Sequence, residues 1–365
     1  FREGRGVEKD MVEAARCWRA AAERGSAAAM FSLGICYGRG EGVEQDGAAL
    51  RHWVSAAAEK GHVGAMVFLG LIGGKNTSAE EGAEWLKAAA DSGSSAAMIC
   101  LGECFRVGRG VPRDFAAAFR WFRLAASKGN RDGMTGLGVC YHHGHGVGQD
   151  QRQAVRWYRL AAGKGDWAAM FNLGLCAEHG WGMPLNCAEA ARWYRAGAAK
   201  GDHNSMSRLG MCYAYGRGVA HSWVEAVRWY HLAAEKGDAT AMNNLAMCYR
   251  NGDGVHCDIH EAVRLWRGAA KKGNPYAMCN LGMSYLKGDG VAQNREEGLC
   301  WLRAAAAKGH VDAVSLLDAE GAPKCEMAAG GRRQVLGRDA VQQWRPAAES
   351  GDVDAMDRLG ECYES

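Results

Sequence analysis

Residues 130–165 read NRDGMTGLGVCYHHGHGVGQDQRQAVRWYRLAAGKG, and this stretch decides the fold because the chain repeats it. The next block, 166–201, reads DWAAMFNLGLCAEHGWGMPLNCAEAARWYRAGAAKG, and 202–237 follows in the same register as DHNSMSRLGMCYAYGRGVAHSWVEAVRWYHLAAEKG. A fixed period of 36 residues is typical of a solenoid, in which each unit packs only on its neighbours. Such chains present extended surfaces for binding, so the repeat indicates the kind of work this protein does.

The repeat also predicts how the chain is organised. Eight units run from Ser26 to Gly309, each of 36 residues except 62–93, which has 32. The other expected segments are a second helix in 1–25, a degenerate unit in 310–351 with an irregular insert at 321–337, and a first helix in 352–365. Both ends therefore cut a unit open, and a solenoid end exposes apolar surface unless a polar cap covers it. We expect further chain, or caps, outside these residues.

Each unit is predicted to fold as helix, loop and helix. In 130–165 an apolar face at helical spacing marks the first helix: Met134, Leu137, Cys140 and Tyr141. Glycines in the loop His143–Val147 tolerate positive φ and end that helix. Asp150 is a suitable N-cap for the second helix, whose aromatic residues Trp157 and Tyr158 recur from unit to unit and predict a ladder of core side chains.

The charge balance excludes some classes of function. There are 44 basic and 41 acidic residues, a net charge of +3, so the whole chain is not driven towards nucleic acid or a membrane surface. No run of apolar residues is long enough to span a bilayer, so membrane insertion is not expected.

The cysteines are expected to be buried thiols. Seven of the 14 share one repeat position on the apolar face of the first helix: Cys36, Cys104, Cys140, Cys176, Cys212, Cys248 and Cys362. A bridged repeat needs two recurring cysteines per unit, so small hydrophobic core residues are favoured instead. Free thiols indicate a reducing compartment, and the prediction is cytoplasmic. The alternative is the endoplasmic reticulum lumen or secretion, if a signal peptide was lost with a missing N-terminal segment.

The combined pattern A-x-x-x-L-G-x-x-Y-x-x-G-x-G-V-x-x-D-x-x-x-A-x-x-W-Y-x-x-A-A-x-x-G resembles the Sel1-like repeat, a relative of the tetratricopeptide repeat. A good copy comprises 206–213 (MSRLGMCY), 216–219 (GRGV), 226–230 (AVRWY) and Ala233-Ala234. The resemblance implies an all-α, right-handed superhelical solenoid of helix-loop-helix units. It also implies a non-catalytic scaffold or adaptor that holds a protein or peptide partner in its concave groove. We predict no cofactor, no small-molecule substrate and no nucleic acid.

By analogy with tetratricopeptide grooves, the binding residues are expected on outward positions of the first helices. Three tryptophans lie outside the recurring ladder, and two of them, Trp167 and Trp181, open a first helix and occupy a loop in the central units. The candidates that accompany them in the repeat frame are His142, His143, Phe171, Glu178, His179, Asn204 and Tyr215. Exposed aromatics among polar groups are typical anchors for a peptide. The competing interpretation is that the extra tryptophans pack between units or cover loops.

Two later units add a second set of candidates on the same face. These are Asn243, Arg250 and Asn251, then Tyr276 and Asn280. Asparagine and arginine side chains can hold the backbone or the carboxylate of an extended peptide.

Two other functions stay open. The repeats could be a regulatory region of a larger enzyme, such as a kinase, because some members of the family carry a catalytic domain. The histidines His142, His143, His145 and His179 could instead form a metal- or pH-responsive module. We predict no metal, because two of them lie on a helix end and one in a loop, without converging ligand spacing. No nucleophile, phosphate-loop or metalloprotease motif occurs in the sequence, so we predict no enzyme activity.

Overall fold

The computed structural model describes residues 10–72 and 78–320, and within these ranges it contains α-helices and no strand. The helices are α1 (Met11–Glu23), α2 (Ala27–Arg39), α3 (Gly47–Glu59), α4 (Val63–Ile72), α5 (Ala79–Asp91), α6 (Ser95–Val107), α7 (Phe115–Ser127), α8 (Arg131–His143), α9 (Gln151–Gly163), α10 (Trp167–His179), α11 (Cys187–Ala199), α12 (His203–Tyr215), α13 (Trp223–Glu235), α14 (Ala239–Asn251), α15 (Ile259–Lys271), α16 (Pro275–Lys287), α17 (Arg295–Ala307) and α18 (Val311–Ala319). None of the helices in these ranges is long and apolar enough to cross a membrane.

The chain divides into two compact units at the bond between His310 and Val311. The first unit holds α1 to α17, and each of these helices packs against the helices next to it in the chain. This nearest-neighbour packing confirms the predicted solenoid of helix pairs. The even-numbered helices from α2 to α16 are the first helices of their units, and the odd-numbered helices from α3 to α17 are the second helices. The second unit begins with α18, and the predicted insert 321–337 and first helix 352–365 lie outside the described residues.

Hydrogen-bonding side chains cap the first turns of the helices, at Asp150 as the sequence predicted. Asp150 caps α9 by accepting the N–H groups of Arg152 and Gln153, and Asp166 caps α10 by accepting that of Ala169. The first helices whose C-caps lie within the described residues end at glycines in the left-handed conformation, as at Gly144. These caps satisfy backbone groups that have no partner within the helix.

The second glycine of the loop has a role that the sequence did not reveal. Gly146 has a φ of 71°, and a Cβ atom there would lie 2.2 Å from the carbonyl oxygen of Phe115, the first residue of α7. Gly182 stands in the same relation to Gln151 of α9, at 2.2 Å. Each loop therefore packs directly on the backbone of the preceding unit's second helix, a separation that only glycine allows.

The aromatic ladder has two adjacent positions on each second helix, and the second of these is the more deeply buried. Tyr158, Tyr194 and Trp266 are 2%, 0% and 1% exposed, whereas the tryptophan before each tyrosine, such as Trp157, is half-buried and packs against the core from its edge. The core also contains one leucine per first helix and the recurring cysteines, including Leu137, Cys140 and Leu173. No disulfide joins any of the cysteines that the structure describes.

Candidate functional site

One cavity of about 760 Å³ runs across four successive first helices, α10, α12, α14 and α16. We call it the first-helix groove. Its lining residues are Phe171, Asn204, Ser207, Arg208, Met211, Tyr215, Asp238, Thr240, Asn243, Asn244, Asn274, Pro275 and Tyr276. The mixture of aromatic, amide and charged side chains along one face is the chemistry expected of a site for a polypeptide segment.

Five of the residues singled out from the sequence meet in this groove: Phe171, Asn204, Tyr215, Asn243 and Tyr276. The repeat explains why they meet. Asn204, Thr240 and Tyr276 are spaced by one period, as are Phe171, Ser207 and Asn243, so each set forms a row across neighbouring helices. Tyr215 and Tyr276 are 63% and 62% exposed, which leaves both rings available to a ligand.

The amide of Asn243 is held in one orientation at the groove wall. This side chain is 9% exposed, and its Oδ1 accepts a hydrogen bond of 3.1 Å from Nδ2 of Asn280. Its own Nδ2 has only a long contact of 3.4 Å, to Oδ1 of Asn244. Asn280, another predicted site residue, therefore acts through Asn243 and does not itself line the groove. A buried amide with an underused donor is suited to a ligand carbonyl.

The charged part of the groove involves a residue that the sequence analysis missed. Arg208 lines the groove and lies 3.7 Å from Oε2 of Glu178, while Arg217 lies 3.9 Å from Oε1 of the same carboxylate. The guanidinium of Arg217 also stands 5.3 Å from the ring centroid of Tyr215, a cation–π contact. Glu178 is thus a predicted site residue that organises two arginines at the groove edge.

The sequence distinguishes Arg208 because it is charged at a repeat position that is uncharged in the other full units. The equivalent residues one unit away are Asn172 and Asn244. A comparison of repeat positions also selects Thr240, which stands one period after Asn204, and Asn244, which stands one period after Arg208.

A second cluster gathers four predicted residues away from the groove. The ring of Trp181 stacks on His179 at 4.5 Å and meets His142 edge-on at 5.0 Å, and His142 lies 4.6 Å from His143. The run continues through His145, which stacks on Phe115 at 4.1 Å. These rings connect the start of α7, the end of α8 with its loop, and the end of α10 with its loop, so they join three successive units, which is the packing interpretation of Trp181.

Two histidines of the ring cluster, His142 and His145, have lowered pKa values. Burial and the neighbouring His143 lower the pKa of His142, while a hydrogen bond with Gln151 opposes that shift. Burial, His143, Arg106 and Arg113 lower the pKa of His145. No group of three or more His, Cys, Asp or Glu residues in 10–72 and 78–320 is arranged to hold a metal ion. The contacts that the structure gives these histidines are with neighbouring aromatic rings.

Trp167 belongs to a separate cavity. It is 47% exposed and lines a space of about 230 Å³ together with Glu103, Asp132 and Asp166. Asp166 accepts a hydrogen bond of 3.0 Å from the Thr135 hydroxyl, and burial together with Asp166 raises the pKa of Asp132. The structure does not bring Trp167 and Tyr215 to one site.

The last two predicted residues lie at the end of α14, outside the groove lining. Arg250 and Asn251 are both exposed, and Nδ2 of Asn251 donates to Oδ2 of Asp253 at 3.1 Å. This contact ties Asn251 to its own loop.

The fold and the groove together define a helical-repeat solenoid with a polar, aromatic-walled face. The family comparison then identifies the family. The Sel1 repeat model matches nine consecutive segments: 1–26, 27–62, 63–94, 95–130, 131–166, 167–202, 203–238, 239–274 and 275–310. The chain belongs to the Sel1 repeat family.

Two solved structures support this assignment. A protective antigen of uropathogenic Escherichia coli strains, which displays an SLR fold, is 31% identical with a TM-score of 0.64, and the match covers 95% of this chain and 74% of that one. A Sel1 repeat protein from Oxalobacter formigenes is 26% identical with a TM-score of 0.63, and the match covers 86% of this chain and 95% of that one. No curated protein sequence matches the chain.

Proposed function

We propose that this protein is a non-catalytic scaffold that binds an extended segment of a partner protein in the first-helix groove. The repeat family and the solenoid support a role in protein interaction. The observation that carries the finer proposal is the groove itself, whose lining includes two exposed tyrosines and the amide side chains of Asn204, Asn243, Asn244 and Asn274.

The chemistry of the groove suits a backbone in extended conformation. Such a segment presents carbonyl and N–H groups that need partners, and asparagine side chains offer both a donor and an acceptor. Asn204, Asn243 and Asn244 stand on two neighbouring helices along the groove. The rings of Tyr215 and Tyr276 offer large apolar area at little entropic cost, which is the usual character of binding hot spots.

A partner capture with matched variants tests this proposal. The double variant Tyr215→Ala/Tyr276→Ala removes the two groove rings, which are 63% and 62% exposed. The control, Leu185→Ala/Val224→Ala, removes two apolar side chains that are 66% exposed and lie outside the groove. Both variants are first shown by circular dichroism to keep the wild-type helicity and melting temperature.

The expected result is that partners captured by the wild-type and control chains are lost from the groove variant. Removal of a hot-spot ring costs about 2 kcal/mol or more, which lowers affinity about thirtyfold for each ring that is lost. Equal capture by all three chains would contradict the proposal.

A further inference from the structure

The groove contains one charged group that a ligand can reach. Its lining includes two charged side chains, Arg208 and Asp238. Asp238 is 8% exposed, its Oδ1 accepts the N–H of Ala241 at 2.7 Å, and its Oδ2 lies 3.1 Å from Nδ1 of His203. That carboxylate is therefore engaged by the fold, whereas the side chain of Arg208 is 37% exposed.

Arg208 is held, but its charge is not cancelled. Its neighbour Glu178 is 16% exposed and is shared with Arg217, so one carboxylate faces two guanidinium groups. One positive charge remains at this edge of the groove. The hydroxyl of Tyr194 donates to Oε2 of Glu178 at 2.5 Å and fixes the carboxylate from beneath. A guanidinium supported in this way has lost much of its freedom before any ligand arrives, which favours binding.

The amide side chains of Asn204 and Asn244 share the groove lining with Arg208. Asn204 is four residues before Arg208 on α12, so the two side chains are neighbours on one helix face. Asn244 occupies the position equivalent to Arg208 on the next first helix, and both residues line the groove. A guanidinium flanked by amide N–H groups matches the oxygens of a carboxylate, which accept several charge-assisted hydrogen bonds.

We infer that the first-helix groove selects partner segments by a carboxylate that binds Arg208, with Asn204 and Asn244 as supporting donors. The carboxylate is that of an aspartate or glutamate side chain inside the segment, because the groove continues past Arg208 onto α10 in one direction and onto α14 and α16 in the other. Apolar side chains on either side of it contact Tyr215 and Tyr276. The inference rests on the proposed function, since it names the partner chemistry of the same groove.

The test selects ligands from two display libraries of short random peptides on the full chain. One library presents a free C-terminus, and the other joins its C-terminus to a carrier. Binding of the selected peptides is then measured by fluorescence anisotropy against wild type, Tyr215→Ala/Tyr276→Ala, Arg208→Gln, Arg208→Lys and the control Arg228→Gln. Arg228 lies on α13, its side chain is 68% exposed, and it lies 3.7 Å from Glu225.

We expect selected peptides from both libraries to be enriched in acidic residues, whereas ligands found only in the free-end library would contradict the assignment to a side-chain carboxylate. Arg208→Gln lowers their affinity about tenfold to a hundredfold, because hydrogen bonds to charged groups are strong. Arg208→Lys recovers part of that loss, since it keeps the charge without the bidentate fork. Arg228→Gln has no effect. Neutralising the peptide's carboxylate weakens wild-type binding equally and adds nothing to Arg208→Gln.

Two further results would overturn the inference in distinguishable ways. Peptides that lose binding to the double tyrosine variant, yet show no preference for a carboxylate and bind Arg208→Gln normally, would refute the carboxylate and leave the groove as the binding site. Failure of both libraries to give any ligand sensitive to the double tyrosine variant would count against the groove and the carboxylate together.

Discussion

The hydroxyl of Tyr194 donates a hydrogen bond of 2.5 Å to Oε2 of Glu178, sixteen residues earlier in the chain. Tyr194 is 0% exposed in the core of its unit, whereas Glu178 sits at the end of α10 beside Arg208 and Arg217. Burial, and then the bond to Glu178, raise the pKa of the Tyr194 hydroxyl far above its ordinary value, so it remains a neutral donor. One hydrogen bond thus connects the core ladder to the charged edge of the groove.

Tyr194→Phe should destabilise the chain by about 1–3 kcal/mol, because it removes a hydrogen bond to a charged, mostly buried acceptor. The measurement is the urea midpoint followed by circular dichroism. Tyr158→Phe is the matched control, since Tyr158 has the same repeat position and is 2% exposed, and its hydroxyl makes no hydrogen bond with the residues that the structure describes. If Tyr158→Phe lowered the urea midpoint by as much as Tyr194→Phe, the hydrogen bond to Glu178 would not explain the loss of stability.

Gly174→Ala should destabilise the same unit by overpacking. A Cβ atom at this position would lie 2.3 Å from Cε1 of Tyr194, whose ring is anchored by its own hydrogen bond. Forcing a methyl group into a packed core costs about 1–3 kcal/mol. Gly163→Ala is the control: Gly163 is exposed at the end of α9, and an added Cβ would have nothing within 4 Å. That change should leave the thermal midpoint equal or slightly higher, and a drop matching that of Gly174→Ala would contradict the packing argument.

Acidification should loosen the ring cluster around Trp181. The folded state lowers the pKa values of His142 and His145 from the ordinary 6.5, chiefly through burial and also through His143 and, for His145, two arginines. Because the folded chain then binds fewer protons than the unfolded chain, this contribution is complete above about pH 6.5 and is lost as the pH falls through the folded-state values.

The melting temperature of wild type should therefore fall between about pH 7.5 and about pH 5.5 by more than that of His142→Gln/His145→Gln. Exposed His256, in the loop before α15, supplies the control variant His256→Gln, which should follow wild type. Identical pH profiles for all three chains would show that the cluster does not couple to protonation.

The cysteines should divide sharply in their reactivity. Burial is the main cause that raises the pKa of Cys140, Cys176 and Cys212 to about 11, and that of Cys248 to about 12. Only the thiolate reacts with iodoacetamide, so these thiols should be labelled slowly at about pH 8 in the folded chain and rapidly in urea. Cys17 and Cys257 are exposed and should be labelled first. Peptide mass spectrometry gives the order, and early labelling of Cys140 or Cys176 would contradict their place in the core.

The fold could be predicted because the repeat states it many times over. Leu137, Cys140 and Tyr158 each have counterparts one period away, so an apolar residue that recurs at helical spacing has to face the shared core. The close contact between Gly146 and the backbone of α7 could not be predicted in the same way. A glycine that recurs at one repeat position indicates that a larger side chain would not fit there, but it does not identify the neighbouring atoms.

The sequence could predict which repeat positions line the groove, but it could not predict which side chains contact each other there. The period places Asn204 beside Thr240 and Tyr276, and it places Phe171 in line with Asn243, so these groove residues could be found from the sequence. Trp167 and Trp181 differ from them because side-chain direction decides their surroundings. Trp181 turns onto His179 and His142, whereas Trp167 borders another cavity. Arg208 was missed because its partner, Glu178, lies thirty residues earlier on another helix.

Position-specific photo-crosslinking tests the central claim, that the first-helix groove is the binding surface, most directly. A photoreactive phenylalanine analogue is placed at Thr240, which is exposed inside the groove, and separately at Val224, which is 66% exposed outside it. The account predicts discrete crosslinked partners at Thr240, their loss when Tyr215→Ala/Tyr276→Ala is added, and none at Val224. Equal crosslinking at both positions, or crosslinks at Thr240 that survive loss of the two tyrosines, would contradict it.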